Sequence, residues 1–191
     1  FTDLFVGDYW VINNVTWRIA DIDYWWNSGD VAFTSHHLVI VPDEALDTQQ
    51  MNPTNITTGG YVGSAMYTAN MNAANSKINQ AFLNMVLTHR QYLVNAVHAT
   101  GGYPSACAWY DSTIELMNEP MVYGSHFFEP AVAGNTTTAV VVPTKYTIDR
   151  SQLALFMLNP RIVNPGRYSY WLRDVVSAAI FAAVLSIGSA H

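Results

Sequence analysis

Two β-forming runs joined by two asparagines, Tyr9-Trp10-Val11-Ile12, Asn13-Asn14 and Val15-Thr16-Trp17-Arg18-Ile19, constrain this chain more than any other stretch. Asparagine tolerates positive φ, so a two-residue Asn-Asn connection between such runs predicts a tight antiparallel hairpin. A third run, His36 to Val41, is continuously apolar after His37 and ends at Pro42, the pattern of a strand buried on both faces.

Beyond that start the signals alternate between loop and helix. Residues 43 to 63 are rich in Asn, Thr and Gly and read as loop. From Ser64 to Asn84 the apolar positions Ala65, Met66, Ala69, Ala73, Ile78, Ala81 and Phe82 recur at helical spacing, broken near Asn72 to Asn75, which predicts one kinked helix or two short ones. Val86 to Thr88 reads as a short strand, Arg90 to Ala99 as a helix turned by Gly101-Gly102, and Trp109 to Met117 as a strand. Residues 124 to 147 form a long excursion, and Gln152 to Leu158 a short apolar helix or strand stopped by Asn159-Pro160. With no internal repeat, the mixture is α+β, with antiparallel strands and a few short helices.

The chain has 191 residues, half of them hydrophobic, enough for one well-cored domain spanning residues 1–191. Charged residues make up 12 % and aromatics 13 %, so the expected surface is neutral, polar and aromatic. The net charge of −6 comes without a basic block, so no nucleic-acid partner is expected. Cys107 is the single cysteine, which excludes an internal disulfide and a multi-cysteine zinc site. The start, Phe1-Thr2-Asp3, carries neither an initiator Met nor a cationic leader, and removed upstream sequence is expected. Val175 to Ile187 is nearly all apolar but falls short of the ~20 residues that cross a bilayer. No membrane insertion is expected, and a buried strand or core-lining loop is the better reading.

Several constellations invite chemistry and carry it poorly. Asn118-Glu119-Pro120 resembles the acid/base triplet of a large glycosidase clan, but that clan needs a second carboxylate and a (β/α)₈ barrel of ~250 residues. A strand end followed by a Pro-containing turn fits better. Neighbouring His36 and His37 on a strand point to opposite faces, and His89 and His98 miss the i, i+4 spacing of helical zinc sites. Asp21, Asp23 and Asp30 near Gly29 lack the ligand alternation of a calcium loop and read as a turn with Asx hydrogen bonds. No nucleophile elbow, phosphate loop or dinucleotide fingerprint occurs, and Cys107 reads as a small core hydrophobe. No cofactor is expected. The acceptor-like triplets at Asn14, Asn55 and Asn135 read as accidental. Trp25-Trp26, Tyr168, Tyr170 and Trp171 lie near turn residues, where aromatic faces serve either the core or a stacked sugar ring.

Gly7-Asp8-Tyr9-Trp10, Trp17-Arg18-Ile19-Ala20, Tyr110-Asp111-Ser112-Thr113 and Trp171-Leu172-Arg173, in that order, resemble a domain family of gut bacteria and their phages, similar to the C-type-lectin-like folds of phage tail tips and fibres. The resemblance spans the chain and implies a C-type-lectin-like domain. Family members commonly finish on Gly-Val-Arg-Pro; this chain does not, and the resemblance then implies a missing C-terminal end as well as a missing N-terminal flank. The stretch after Arg173 is also similar to the variable repeats of retroelement-diversified proteins. Ser177, Ala178, Phe181, Ala182, Val184, Gly188 and Ala190 alternate with Ile180, Ala183, Leu185, Ser186, Ile187, Ser189 and His191, each of the second set reachable from an asparagine codon by changing adenines alone. An ordinary buried apolar run is the competing reading.

The resemblance implies a non-enzymatic adhesion module on a virion surface, binding a host cell-surface glycan or protein through Ile180, Ala183, Leu185, Ser186, Ile187, Ser189 and His191 together with Tyr168 and Tyr170. Its partners are a host receptor, other virion proteins and further copies of itself, which multiply weak sites. The alternatives are an architectural virion decoration protein and, remotely, a cell-wall glycosidase using Glu119.

Overall fold

A computed structural model describes residues 1–99, 104–124, 151–158, 168–175 and 184–187. Among them lie three antiparallel sheets and a few short helices, an α+β architecture. The first sheet has the order β1 (Tyr9–Ile12), β2 (Val15–Ile22), β3 (Leu38–Pro42). The expected hairpin is present: Ile12 pairs with Val15, and Asn13 and Asn14 take φ of 54° and 62°, the pair of left-handed residues that a twist-matched two-residue turn requires. Trp17 on β2 is 2 % exposed and meets the ring of Phe82 edge-on at 5.2 Å.

β3 differs from expectation. It lies at the sheet edge, and only Val39 and Val41 are buried while Leu38 and Ile40 are half-buried, so one face packs inward rather than both. A bulge in β2 leaves Ala20 without a partner on β3 and re-aims the next residue. Asp21 beyond it accepts hydrogen bonds from the Ile22 N–H at 2.8 Å and the Ala154 N–H at 2.9 Å.

The 43–63 stretch is loop, as its composition predicts, followed by a π-helical turn over Met66–Asn70, then α1 (Asn72–Phe82) and a single 3₁₀ turn over Leu83–Met85. The helix is therefore broken near Asn72, where the periodicity breaks. Val86 to Thr88 is not a strand, and the helix expected over Arg90 to Ala99 is β4 (His89–Val97), paired antiparallel with β5 (Pro104–Ser112). Bulges around Asn95 explain the misreading: they shift Ala96 and Val97 out of alternation, leaving Leu93, Val94, Ala96 and Val97 at spacings that imitate a helix face. The strand expected over Trp109 to Met117 is β5, displaced to Pro104–Ser112: Ser105, Ala106, Cys107 and Ala108 are too small to carry a pattern that would announce its start, and residues 113–117 lie beyond its end.

Asn118-Glu119-Pro120 opens α2 (Glu119–Tyr123) rather than a turn. Asn118 Oδ1 caps it by accepting from the Met121 N–H at 2.9 Å, and Gly124 closes it at φ 76°. α3 (Ala154–Leu158), β6 (Tyr168–Trp171) and β7 (Val184–Ile187) complete the described elements. The excursion expected over 124–147 lies, after Gly124, outside the described residues. No described helix is long and apolar enough to cross a membrane.

Among the described residues two apolar clusters form the interior. One joins Ala20, Val39 and Val41 of the first sheet to Met121, Val122, Leu153, Leu155, Phe156 and Leu172. The other joins Leu93 and Val94 of β4 to Tyr61 and Val175, with Cys107 packed against it as a small apolar residue. Gly60 lets the loop sit on β4, since a Cβ there would lie 2.7 Å from the Val94 carbonyl oxygen.

Candidate functional site: the C-terminal ribbon and its anchor

β6 and β7 pair antiparallel, with Tyr168 opposite Ile187, Ser169 opposite Ser186, Tyr170 opposite Leu185 and Trp171 opposite Val184. Two stretches singled out separately in the sequence, Tyr168 with Tyr170 and Leu185 to Ile187, are thus brought to one two-stranded ribbon. Ile180, Ala183, Ser189 and His191 lie outside the described residues. Tyr170 is half-buried against the first apolar cluster; burial raises its pKa well above the ordinary tyrosine range, with the Tyr123 hydroxyl beside it reinforcing the shift. Its ring is part of the ribbon's footing.

The five residues after Tyr170 fix the ribbon to both clusters, each through a different partner. Trp171 Nε1 donates to the Gln49 carbonyl at 2.8 Å. Leu172, 2 % exposed, enters the first cluster, and Val175 enters the second. Between them the Arg173 N–H donates to the Met117 carbonyl at 3.0 Å, and Asp174 Oδ2 accepts from the Glu119 N–H at 2.6 Å, at the start of α2 where a carboxylate is favoured. The sequence expectations do not include this stitch, although two charged residues enclosed by two apolar ones in Leu172-Arg173-Asp174-Val175 are its signal.

Arg173 is a buried cation, 6 % exposed, and its Nη1 donates to Gln91 Oε1. Gln91, 1 % exposed, offers its amide Nε2 to His89 Nε2 at 2.7 Å. Next to this chain Glu115 accepts from Tyr61 Oη at 2.6 Å and from Ser112 Oγ at 2.7 Å. Burial, and then the Glu115 charge, push the Tyr61 pKa far up, so its hydroxyl stays a donor. A polar seam therefore runs between the β4–β5 hairpin and the stitch.

An aromatic loop covers one end of that seam. Trp25 lies 4.2 Å from the His89 ring and 6.0 Å from that of His37, and Phe33 touches both histidines. His37 is buried, accepts at Nε2 from the Trp25 N–H at 3.0 Å and hydrogen-bonds the Ser35 carbonyl through Nδ1 at 2.9 Å. His36 points outward, stacks on half-exposed Trp26 at 4.5 Å and pairs with Asp23 at 2.8 Å. Burial of the Asp23 carboxyl opposes ionisation, but hydrogen bonds from His36 and the His37 N–H outweigh it and hold its pKa below the ordinary range. Of the adjacent tryptophans, one serves the interior and one the surface.

The three aspartates read as a turn with Asx hydrogen bonds are dispersed: Asp21 and Asp30 each accept from the following N–H, but Asp21 also holds α3, Asp23 holds the histidines, and Asp30 takes Arg90 bidentately at 2.7 and 3.0 Å. Among the described residues no group of three or more His, Cys, Asp or Glu could hold a metal ion. Glu119 is fully buried in the first turn of α2. Comparison with protein-family models, curated proteins and solved structures finds no match for the chain.

Proposed function

We propose that this chain is a non-enzymatic recognition module with a C-type-lectin-like topology, the distal domain of a virion fibre or tail tip, adhering to a host cell-surface glycan or protein through the β6–β7 ribbon. The observation that carries the reading is the ribbon itself: two separately suspected stretches are hydrogen-bonded to each other and rooted by five consecutive anchored residues. A binding segment mounted on a fixed frame loses little entropy on engagement. The buried position of Glu119 favours adhesion over glycan cleavage, because a wall polymer has no access to a carboxylate with no exposed surface.

The test is adhesion of beads carrying many copies of the domain to a panel of gut bacterial cells. Ser169→Glu with Ser186→Glu, a cross-strand pair out of phase with the core-packed Tyr170, is expected to lower adhesion at least ~100-fold under multivalent display, with the circular dichroism of the domain unchanged. Unaltered adhesion by a folded double variant removes the reading. One observation favours an architectural role instead: Phe5, Tyr9 and Val11 are 67 %, 58 % and 64 % exposed, the last two on edge strand β1. An apolar edge of that kind suits a neighbouring subunit, and that reading predicts assembly lost in Tyr9→Lys with Val11→Lys.

A further inference from the structure

The seam has a proton-dependent logic. Arg173 stays charged at any pH the fold experiences, so Gln91 must turn its carbonyl oxygen toward Arg173 and its NH₂ toward His89. His89 Nε2 must therefore accept, which only the neutral ring can do. A proton added to Nε2 sets two donors against each other; flipping the Gln91 amide to relieve this sets its NH₂ against the guanidinium. One of the two contacts has to break.

We infer that His89, Gln91 and Arg173 form a proton-operated latch, closed at neutral pH and opened by acid, that holds the Trp171–Val175 stitch and with it the ribbon to the β4–β5 hairpin. It needs no assumption about what the ribbon binds. Histidine charges around pH ~6.5 in an unfolded chain. Because the folded seam uses the neutral form, the unfolded state binds more protons over the window just below that value, and the latch weakens as pH falls through it.

The groups facing His89 bear on this. From the aromatic loop come Trp25 and Phe33, with His37 beyond them. Ser112 stands opposite on β5, with Glu115 bonded to it, and Tyr61 reaches the same carboxylate from the 43–63 loop. Arg173 comes from the stitch, and neighbouring Arg90 is taken up by Asp30 and Asp111. Glu115 has one oxygen taken by Tyr61 and the other by Ser112, and the carboxyls of buried Glu119 and of Asp174 stand at the stitch, where the Glu119 N–H donates to Asp174. His37, beyond Trp25, accepts from the Trp25 N–H at Nε2 and so belongs to the aromatic loop rather than to residues 168–175.

Two readouts on the intact chain decide the matter. Ring-nitrogen chemical shifts should show His89 neutral and unprotonated at Nε2 at about pH 7.5; a doubly protonated ring there overturns the latch. Amide exchange, corrected for its intrinsic pH dependence, should rise about tenfold or more in residues 168–175 between about pH 7.5 and pH 5. His89→Gln keeps an acceptor that does not titrate, and Gln91→Glu offers a carboxylate to both neighbours; in either, the acid-induced rise should vanish. A wild-type chain without the rise, or a His89→Gln chain that keeps it, contradicts the proposal. If neither variant folds, the wild-type ring shifts and exchange profile still decide it.

Discussion

Arg173 is a buried cation held between β4 and the Met117 backbone. Its guanidinium is buried beside Gln91 and its backbone N–H is tied to Met117, so removing the cation leaves the Gln91 carbonyl inside without its donor. Arg173→Met should lower the unfolding free energy by about 2–4 kcal/mol, measured by urea titration, with Arg173→Lys recovering only part because a point charge cannot reproduce the fork. Arg90 lies at the other extreme, an exposed-side pair with Asp30 and Asp111. The hydrogen bond from Arg90 holds the Asp30 carboxyl below its ordinary range. Its contribution is complete above the unfolded value near ~3.9 and disappears as pH falls through the lower folded value. Asp30→Asn should therefore lower the melting temperature at neutral pH, and the gap from wild type should close as pH falls through the lowered folded value and narrow in high salt. That window is well separated from the histidine range, so the two effects can be measured independently.

At the scale of elements, short local signals succeed where they coincide with backbone chemistry. The Asn13-Asn14 turn sits in the left-handed region at both residues. Asn14→Val should cost ~1–2 kcal/mol, whereas Asn14→Gly should cost nothing in thermal melts. Asn118→Ala should cost ~1 kcal/mol through loss of the α2 cap. The hairpin, the broken helix and the α+β class were legible because turn residues and apolar spacing encode them directly. β4 was not, because its bulges at Asn95 lend a strand the spacing of a helix and only pairing with β5 resolves the ambiguity. α2 was legible in principle: Asn118 before Pro120 and Gly124 after Tyr123 spell start and stop, but the glycosidase-like triplet drew attention away from them. The pairing of Tyr168 with Ile187 depends on two strands well apart in the chain, which no local pattern reports.

At the scale of the whole molecule, one short stitch joins the two apolar clusters. Leu172 belongs to the cluster of the first sheet and Val175 to that of β4, with Arg173 and Asp174 bonding between them to β4 and α2. The adhesive role proposed for the ribbon requires such rooting if many weak contacts are to act together. Leu172→Ala should therefore lower stability by ~2–5 kcal/mol and loosen the β4–β5 hairpin as well as the first sheet, although Leu172 itself belongs to the cluster of the first sheet. Native-state amide exchange across a denaturant series tests this central claim most directly. Slow amides in β2, in β4 and in residues 171–175 should report one common opening free energy, lowered together in Leu172→Ala. Residues 171–175 opening at a much lower free energy than the two sheets, or a Leu172→Ala effect confined to the first sheet, would contradict it.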